Sequence, residues 1–323
     1  MKALICGISG QDGAYLSKFL LNKGYEVIGT SRDINLNKFT NLKFVKCYQD
    51  IKIESMSLND FKSIFSIVNK YKPDEIYNLA GQSSVGLSFE KPKETMESIA
   101  LGNLNILEVI RKFDYKIRFF SAGSCDCFGD TKLKKANENT RFLPKSPYAV
   151  AKCAAFWTIS GYRDSYDVFA STGILFNHES ILRPEKFVTQ KIVVAAARIK
   201  AGSKESLSLG NCNIQRDWGW SEDYVEAMWS MLQIDKPQDF VIATGETNSL
   251  RKFVEKVFQF FDLNWQDHVE IDSQNFRPTD INFSGGDPSL ASKVLRWEAK
   301  TKFDDLIIKM CENAYEKKIK NFT

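Results

Sequence analysis

Only two histidines occur among the 323 residues, and the seven cysteines follow no framework spacing. Zinc sites are built mainly from clustered cysteine and histidine. The pair Cys125 and Cys127 has no second pair to complete such a site, so no metal is expected. An odd cysteine count also argues against a disulfide scaffold, and reduced thiols in a reducing compartment are expected instead. No apolar run approaches the roughly twenty residues that cross a bilayer, and the apolar start of the chain reads as a strand, not as a leader with a cleavage site. No membrane partner is expected, and the location implied is cytoplasmic. Charge is nearly balanced, with 44 Lys+Arg against 40 Asp+Glu and a net +4. Because no basic block is interleaved with aromatics, a nucleic-acid partner is not expected either. Repeats, low-complexity tracts and long Gly/Ser linkers are also missing. What remains, 43% hydrophobic and 26% charged residues, is the composition of a soluble enzyme with room for one large or two modest domains.

The opening of the chain carries a nucleotide-binding pattern. Lys2–Cys6 is a short apolar strand, residues 7–13 form a turn that holds Gly7, Gly10, Gln11, Asp12 and Gly13, residues 14–23 bear an apolar helical stripe, and residues 25–29 supply a second strand. Glycines at this spacing let the backbone turn tightly, bring its N–H groups up to a pyrophosphate and pack the helix against the strand. The spacing is G-x-x-G-x-x-G, not the G-x-G-x-x-G of ordinary dinucleotide dehydrogenases. The second strand runs out into Ile28-Gly29-Thr30-Ser31-Arg32-Asp33. An NAD site usually places a carboxylate there for the ribose diol, whereas Arg32 can meet a 2′-phosphate bidentately. NADP is the expected cofactor, with Asp33 next door still able to reach a ribose.

Tyr148 and Lys152 stand four residues apart in Ser146-Pro147-Tyr148-Ala149-Val150-Ala151-Lys152. On a helix the phenol and the ammonium share a face, so the lysine can lower the tyrosine pKa and let it exchange a proton with a substrate hydroxyl. That is alcohol–carbonyl chemistry. In an arbitrary helix the same spacing is a packed tyrosine beside a solvated lysine; the glycine turn upstream favours the catalytic reading.

Strand and helix signals then alternate. Residues 74–80 read as a strand, 94–112 as a helix, 116–121 as a strand, and 169–176 as another strand after a helix that runs from Tyr148 to about Tyr166. Strands alternating with crossover helices imply an α/β fold, a Rossmann-type doubly wound parallel sheet whose ligands sit at the carboxyl ends of the strands. Ser83, Ser124, Asp126 and Asn177 fall at such ends. After residue 180 the pattern becomes irregular, with the cluster Trp218-Gly219-Trp220 and the pair Arg277-Pro278, and is read as a smaller mixed α/β substrate-binding cap. The expected division is a cofactor domain at 1–176 with a returning segment near 213–244, and a substrate domain at 177–212 and 245–323.

Longer segments carry a family resemblance. Gly10-Gln11-Asp12-Gly13-Ala14-Tyr15-Leu16, Asn78-Leu79-Ala80-Gly81-Gln82-Ser83-Ser84-Val85, Gly173-Ile174-Leu175-Phe176-Asn177-His178-Glu179-Ser180 and Arg216-Asp217-Trp218-Gly219 closely resemble GDP-mannose 4,6-dehydratases, which are extended short-chain dehydrogenase/reductases. Phe187-Val188-Thr189-Gln190-Lys191-Ile192 and Arg277-Pro278-Thr279-Asp280 extend the match through essentially the whole chain.

The resemblance implies a cycle on a GDP-sugar. Tyr148 takes the sugar O4 proton while the C4 hydride passes to NADP⁺, a carboxylate removes the acidified C5 proton, water leaves from C6, and the hydride returns to C6. Lys152 holds the tyrosine ionised and Ser124 hydrogen-bonds O4. Leu79, Ala80, Gln82, His178 and Arg183 are implied cofactor contacts, and Ser83, Val85, Asn177, Lys191, Arg216 and Arg277 substrate contacts, the arginines being suited to a diphosphate. A homodimer or homotetramer is implied, with residues 33–41 as an inter-subunit contact to the cofactor.

Two departures stand out. The family's C5 base is the glutamate of a Ser/Thr-Ser-Glu run, and here the run is Ser124-Cys125-Asp126, a carboxylate one methylene shorter. A working dehydratase, a GDP-sugar C4 dehydrogenase, epimerase or 4-keto reductase that omits elimination, and a non-catalytic NADP-binding protein therefore stay open at this point. The acid-leucine pair that meets adenine in many relatives is Ser57-Leu58 here, with Asp60 nearby.

Overall fold

The structure is a computed structural model that describes residues 1–275 and 279–322. The strands are, in order, β1 (Lys2–Cys6), β2 (Glu26–Ser31), β3 (Lys52–Ser55), β4 (Glu75–Asn78), β5 (Arg118–Ala122), β6 (Ala170–Leu175), β7 (Asn177–Glu179), β8 (Leu207–Leu209), β9 (Gln215–Trp220), β10 (Phe240–Ile242), β11 (Thr247–Ser249), β12 (Val269–Ile271) and β13 (Phe283–Ser284). Seven of them form one sheet in the order β10-β6-β5-β4-β1-β2-β3, and every neighbouring pair is parallel. Parallel pairs need long crossovers, which cover both faces with helices. The pleat then sorts the side chains. Leu4, Ile28, Ile76 and Phe119 enter the core on one face, and their neighbours Ile5, Val27, Tyr77 and Phe120 enter the core on the other. The expected Rossmann-type sheet is the one formed.

The first helix spans Gln11–Asn22 and starts before the apolar stripe at residue 14; Gly10 caps it and already accepts from the Ala14 amide at 3.1 Å. A polar first turn shows no stripe, so periodicity could not place it. Residues read as one helix near 94–112 form Pro92–Met96, a π turn at Glu97–Leu101 and Gly102–Ile110.

The expectation of irregular chain after residue 180 is corrected. Helices Val188–Lys200, Ser221–Met231, Leu250–Phe260 and Phe303–Phe322 alternate there with β8 to β13. Most of those strands are three residues or fewer, too short for alternation to register. Trp218 and Trp220 lie on β9, which pairs parallel with β7 and β13 and antiparallel with β11. Under this second sheet they pack with Ile192, Phe253, Phe258 and Leu306 in a separate core. The helix that follows β9 turns back and buries Tyr224 and Met228 in the core of the large sheet. No helix among the described residues is long and apolar enough to cross a membrane, and no group of three or more His, Cys, Asp or Glu among them could hold a metal ion. All seven cysteines are buried free thiols.

Candidate active site

A cleft of about 330 Å³ opens where the carboxyl ends of β4, β5 and β6 meet the second sheet, lined by Leu79, Ala122, Leu175, Asn177 and Trp218 among others. A larger cavity of about 570 Å³ lies beneath Thr40 and Asn41 and shares Arg183 with the cleft, but none of the groups read as acid or base reaches it.

On the glycine-turn side the backbone comes very close to the chain just past β4. Gly7 has φ of +85°, and a Cβ there would sit 2.9 Å from the Ala80 backbone; a Cβ at Gly13 would sit 2.6 Å from the Gly7 carbonyl oxygen. Gln11, Asp12 and Gly13 occupy the first turn of the helix, where amides lack intrahelical partners and favour an anion. The Gln11 side chain is turned inward, donating to the His178 carbonyl at 3.1 Å and accepting from Ser180 Oγ at 2.9 Å. Asp12 meets His178 Nε2 at 2.9 Å and accepts from Ser221 Oγ, while His178 Nδ1 lies 2.8 Å from the Phe176 carbonyl. Burial works to raise the Asp12 pKa, but the His178 charge and the two hydrogen bonds hold it below its ordinary value. Burial works to lower His178, and the Asp12 carboxylate raises it instead. Asp12 and His178 both line the cleft.

Arg32 follows β2 with its side chain 80% exposed, 3.8 Å from Glu94. Asp33 is engaged locally, its Oδ1 accepting from the amides of Asn35 at 2.9 Å and Leu36 at 3.1 Å. Beyond β3 the Ser57 amide donates to Ser63 Oγ at 3.2 Å, and the Leu58 side chain is buried while its carbonyl accepts from Asn105 at 2.7 Å. Asp60 caps the helix Phe61–Tyr71 through the Lys62 amide at 2.9 Å. Gln82 braces its own loop, donating to the Ser84 carbonyl at 2.8 Å and to Thr95 Oγ1 at 3.2 Å. Ser83 and Val85, beside it, line the cleft.

The helix Pro147–Tyr166 begins on a Ser146 cap that accepts from the Ala149 amide at 3.1 Å, with Pro147 in its first turn. That start aims Tyr148 into the cleft, beside Ser124 and Asp126, which sit on the short turn after β5. Ser124 Oγ accepts from the Asp126 amide at 3.2 Å. Lys152 Nζ lies 5.7 Å from the Tyr148 ring centre and donates to the Ala122 carbonyl at 2.6 Å. The electrostatics correct the expectation of a tyrosine lowered by its lysine. Burial first and the Asp126 charge second push the Tyr148 phenol up, with a Ser124 hydrogen bond pulling the other way. Burial brings Lys152 itself down to about 8. The helical spacing holds, yet the ammonium is spent on a carbonyl.

The cations read from sequence as ligand contacts are not all in the cleft. Arg216 lines it, almost fully buried, with Nη2 3.4 Å from Asp280 and Nη1 donating to the Gln215 carbonyl at 2.9 Å. Lys191 is not among the lining residues; its Nζ turns to the Ser208 carbonyl at 2.8 Å. Arg183 lines the cleft, paired with Glu179 at 3.1 Å. Arg277 lies outside the described residues. Lys145 and Lys186 line the cleft and were missed. The position of Lys145 just before the Tyr148 helix was a signal in the sequence; nothing local marks Lys186.

The whole-chain comparisons bear on this arrangement. Residues 4–310 match the family model for GDP-mannose 4,6 dehydratase. GDP-mannose 4,6 dehydratase 1 of Arabidopsis thaliana is 44% identical over 326 residues, covering 97% of this chain and 90% of that protein. The chain belongs to the GDP-mannose 4,6-dehydratase family. The family member from Dictyostelium discoideum is 42% identical over 334 residues, covering 95% of this chain and 94% of its own. The dTDP-glucose 4,6-dehydratase of Streptomyces venezuelae, solved with NAD bound, superimposes with a TM-score of 0.88 over 98% of this chain and 97% of its own, at 17% identity. That likeness speaks for the fold alone.

Proposed function

We propose that the chain is a nucleotide-sugar 4,6-dehydratase, a lyase that acts on GDP-mannose or a related GDP-hexose or heptose with NADP as a recycled hydride carrier. The reading is supported by Tyr148, Ser124 and Asp126 lining one cleft in a chain 44% identical to a GDP-mannose 4,6-dehydratase over 97% of its length. The residues fit a dinucleotide. A Cβ-free approach at Gly7, first-turn amides at Gln11, Asp12 and Gly13, and the exposed Arg32 suit a diphosphate and a 2′-phosphate. Asp33 accepts from two amides of its own turn through Oδ1, and Arg32 is the group that meets the 2′-phosphate. When bound, the nicotinamide accepts a hydride from sugar C4 and returns one to C6.

The protein's residues do the rest. Tyr148 takes the O4 proton, with Ser124 hydrogen-bonded to O4. The resulting C4 carbonyl acidifies C5, from which Asp126 removes a proton and passes it to the C6 hydroxyl, which leaves as water; a proton exchangeable with solvent adds back at C5 when the hydride returns to C6. Lys152 supplies positive charge beside the phenol, and Arg216 with Arg277 meets the substrate diphosphate. The remaining cofactor contacts are proposed at Ser57, Leu58, Leu79, Ala80, Gln82, His178 and Arg183, and further substrate contacts at Ser83, Val85, Asn177 and Lys191. The cofactor domain is residues 1–176 with a returning segment near 213–244, of which the strand Gln215–Trp220 pairs in the second sheet and goes with the substrate domain, 177–212 with 245–323; the enzyme works in the cytoplasm as a homodimer or homotetramer.

Incubation with GDP-mannose and catalytic NADP⁺, followed by mass spectrometry, tests this. Loss of one water from the sugar nucleotide is expected. Loss of two hydrogens with stoichiometric NADPH would make it a C4 dehydrogenase, and unconsumed GDP-mannose would remove that substrate.

A further inference from the structure

Asp217 stands between two residues of the cleft, Arg216 and Trp218, yet points away from it, as alternation along β9 requires. Its side chain is fully buried. An ionised carboxylate without partners would be very costly there, and it is surrounded by donors. Oδ1 accepts from the Thr244 amide at 2.9 Å and from Thr244 Oγ1 at 2.8 Å, and Oδ2 accepts from the Gly245 amide at 2.9 Å. The Gly286 amide adds a further hydrogen bond. Thr244 and Gly245 belong to the loop that leaves β10, the edge strand of the large sheet, whereas Asp217 belongs to the second sheet. The carboxylate therefore joins the two sheets at a point adjacent to Arg216. Its backbone partner across β11 is Thr247, and that of Arg216 is Asn248, so a shift of this register moves both residues together.

We propose that Asp217 is a positioning residue for nucleotide-sugar binding: by clamping β9 to the loop after β10 it fixes where Arg216 presents its guanidinium in the cleft. The inference rests on Arg216 meeting the diphosphate. It assigns Asp217 no contact with substrate, cofactor or reacting atoms. Asp217 touches neither the glycine turn nor the helix that carries Tyr148, so it acts on substrate affinity and leaves cofactor binding and turnover alone.

The test compares Asp217→Asn, Thr244→Val and Arg216→Ala in the full-length protein, measuring GDP affinity and NADP affinity by calorimetry and KM and kcat with GDP-mannose. Asp217→Asn puts an amide NH₂ against amide donors and is expected to weaken GDP binding and raise KM about tenfold or more, with kcat and NADP affinity within about twofold. Thr244→Val removes one donor from the opposite side of the same contact and is expected to move KM in the same direction by less, which keeps the test alive if the asparagine variant does not fold. If GDP and NADP affinities fall together, or both variants leave KM unchanged while Arg216→Ala raises it, Asp217 is only a structural carboxylate. If Arg216→Ala itself leaves GDP affinity unchanged, the assignment of Arg216 fails, and this inference with it.

Discussion

Two pairs of ionisable groups flank the same cleft and are treated in opposite ways. Asp12 and His178 lie 2.9 Å apart, and each shifts toward its charged form against the pull of burial. Tyr148 and Lys152 share a helix face, yet each shifts toward its neutral form, the phenol upward and the ammonium down to about 8. The difference lies in the partner. His178 and Asp12 spend their charges on each other, whereas Lys152 donates to the Ala122 carbonyl and Tyr148 faces the charge of Asp126. A buried group matched by an opposite charge serves as structure. Lys152, brought down to about 8, is left near the balance between protonation states, while Tyr148 is held in its neutral form.

The largest effect expected from breaking this contrast is at Tyr148. Tyr148→Phe removes the phenol oxygen that takes the O4 proton and little else, so kcat for C4 oxidation is expected to fall by about 10²–10⁴-fold with NADP affinity retained; single-turnover kinetics and calorimetry measure the two. The alkaline limb of kcat/KM is expected near the Lys152 value of about 8, since the ammonium discharges as pH rises through it. A phenylalanine variant with wild-type turnover would leave Tyr148 as packing.

Asp126 sharpens the comparison from the acid–base side. Asp126→Asn is expected to stall the reaction after oxidation, with reduced cofactor accumulating at 340 nm as about hundredfold slower elimination limits turnover, and to lower the Tyr148 pKa by removing a negative neighbour. In D₂O the wild-type product is expected to carry deuterium at C5. Asp126→Glu is expected to keep or raise the dehydration rate, since the longer arm regains about 1 Å of reach. A 4-keto product that retains its C6 oxygen would show that elimination has been lost.

The Asp12–His178 pair predicts an effect on stability. Asp12→Asn leaves His178 without its counter-charge and is expected to cost about 3 kcal/mol, read from urea unfolding at neutral pH. The Asp12 pKa lies below its unfolded value, so its contribution is present above that value and is lost as pH falls through the folded one. The His178 pKa lies above 6.5, so its contribution is present below 6.5 and is lost as pH rises through the folded one. The gap between wild type and variant is therefore expected to be widest between the unfolded values of 3.8 and 6.5 and to close as pH passes through the folded value on either side.

The smallest effect is expected at Arg32, whose side chain is 80% exposed and only loosely paired with Glu94. Arg32→Ala is expected to abolish the preference for NADP over NAD, a change of about tenfold for one screened charge pair. Equal affinity for both cofactors in the wild-type protein would remove the role given to Arg32.

Elements with a strong local signal were legible. β1, the glycine turn, and the helix opened by Ser146 and Pro147 follow from apolar runs, backbone freedom and capping, all properties of neighbouring residues. The strands past residue 180 were not, because segments of two or three residues owe their pairing to partners far away in the chain. The same distinction divides the site. Tyr148 and Lys152 were found through their spacing on one helix, while Lys186 in the cleft and the turn of Lys191 toward the Ser208 carbonyl became visible only with their surroundings.

What the sequence determined by itself is the alternation of strands and helices up to about residue 176, the glycine turn, and the placing of Tyr148 and Lys152 on one helix face. Each depends on spacing along the chain, and spacing survives without a fold. Only the tertiary structure decided which charges are satisfied. Lys152 faces Ala122, Asp12 finds His178, and Asp217 meets the loop after β10. Protonation depends on burial and on the nearest opposite charge, and both are set by residues distant in sequence that packing brings within hydrogen-bonding range.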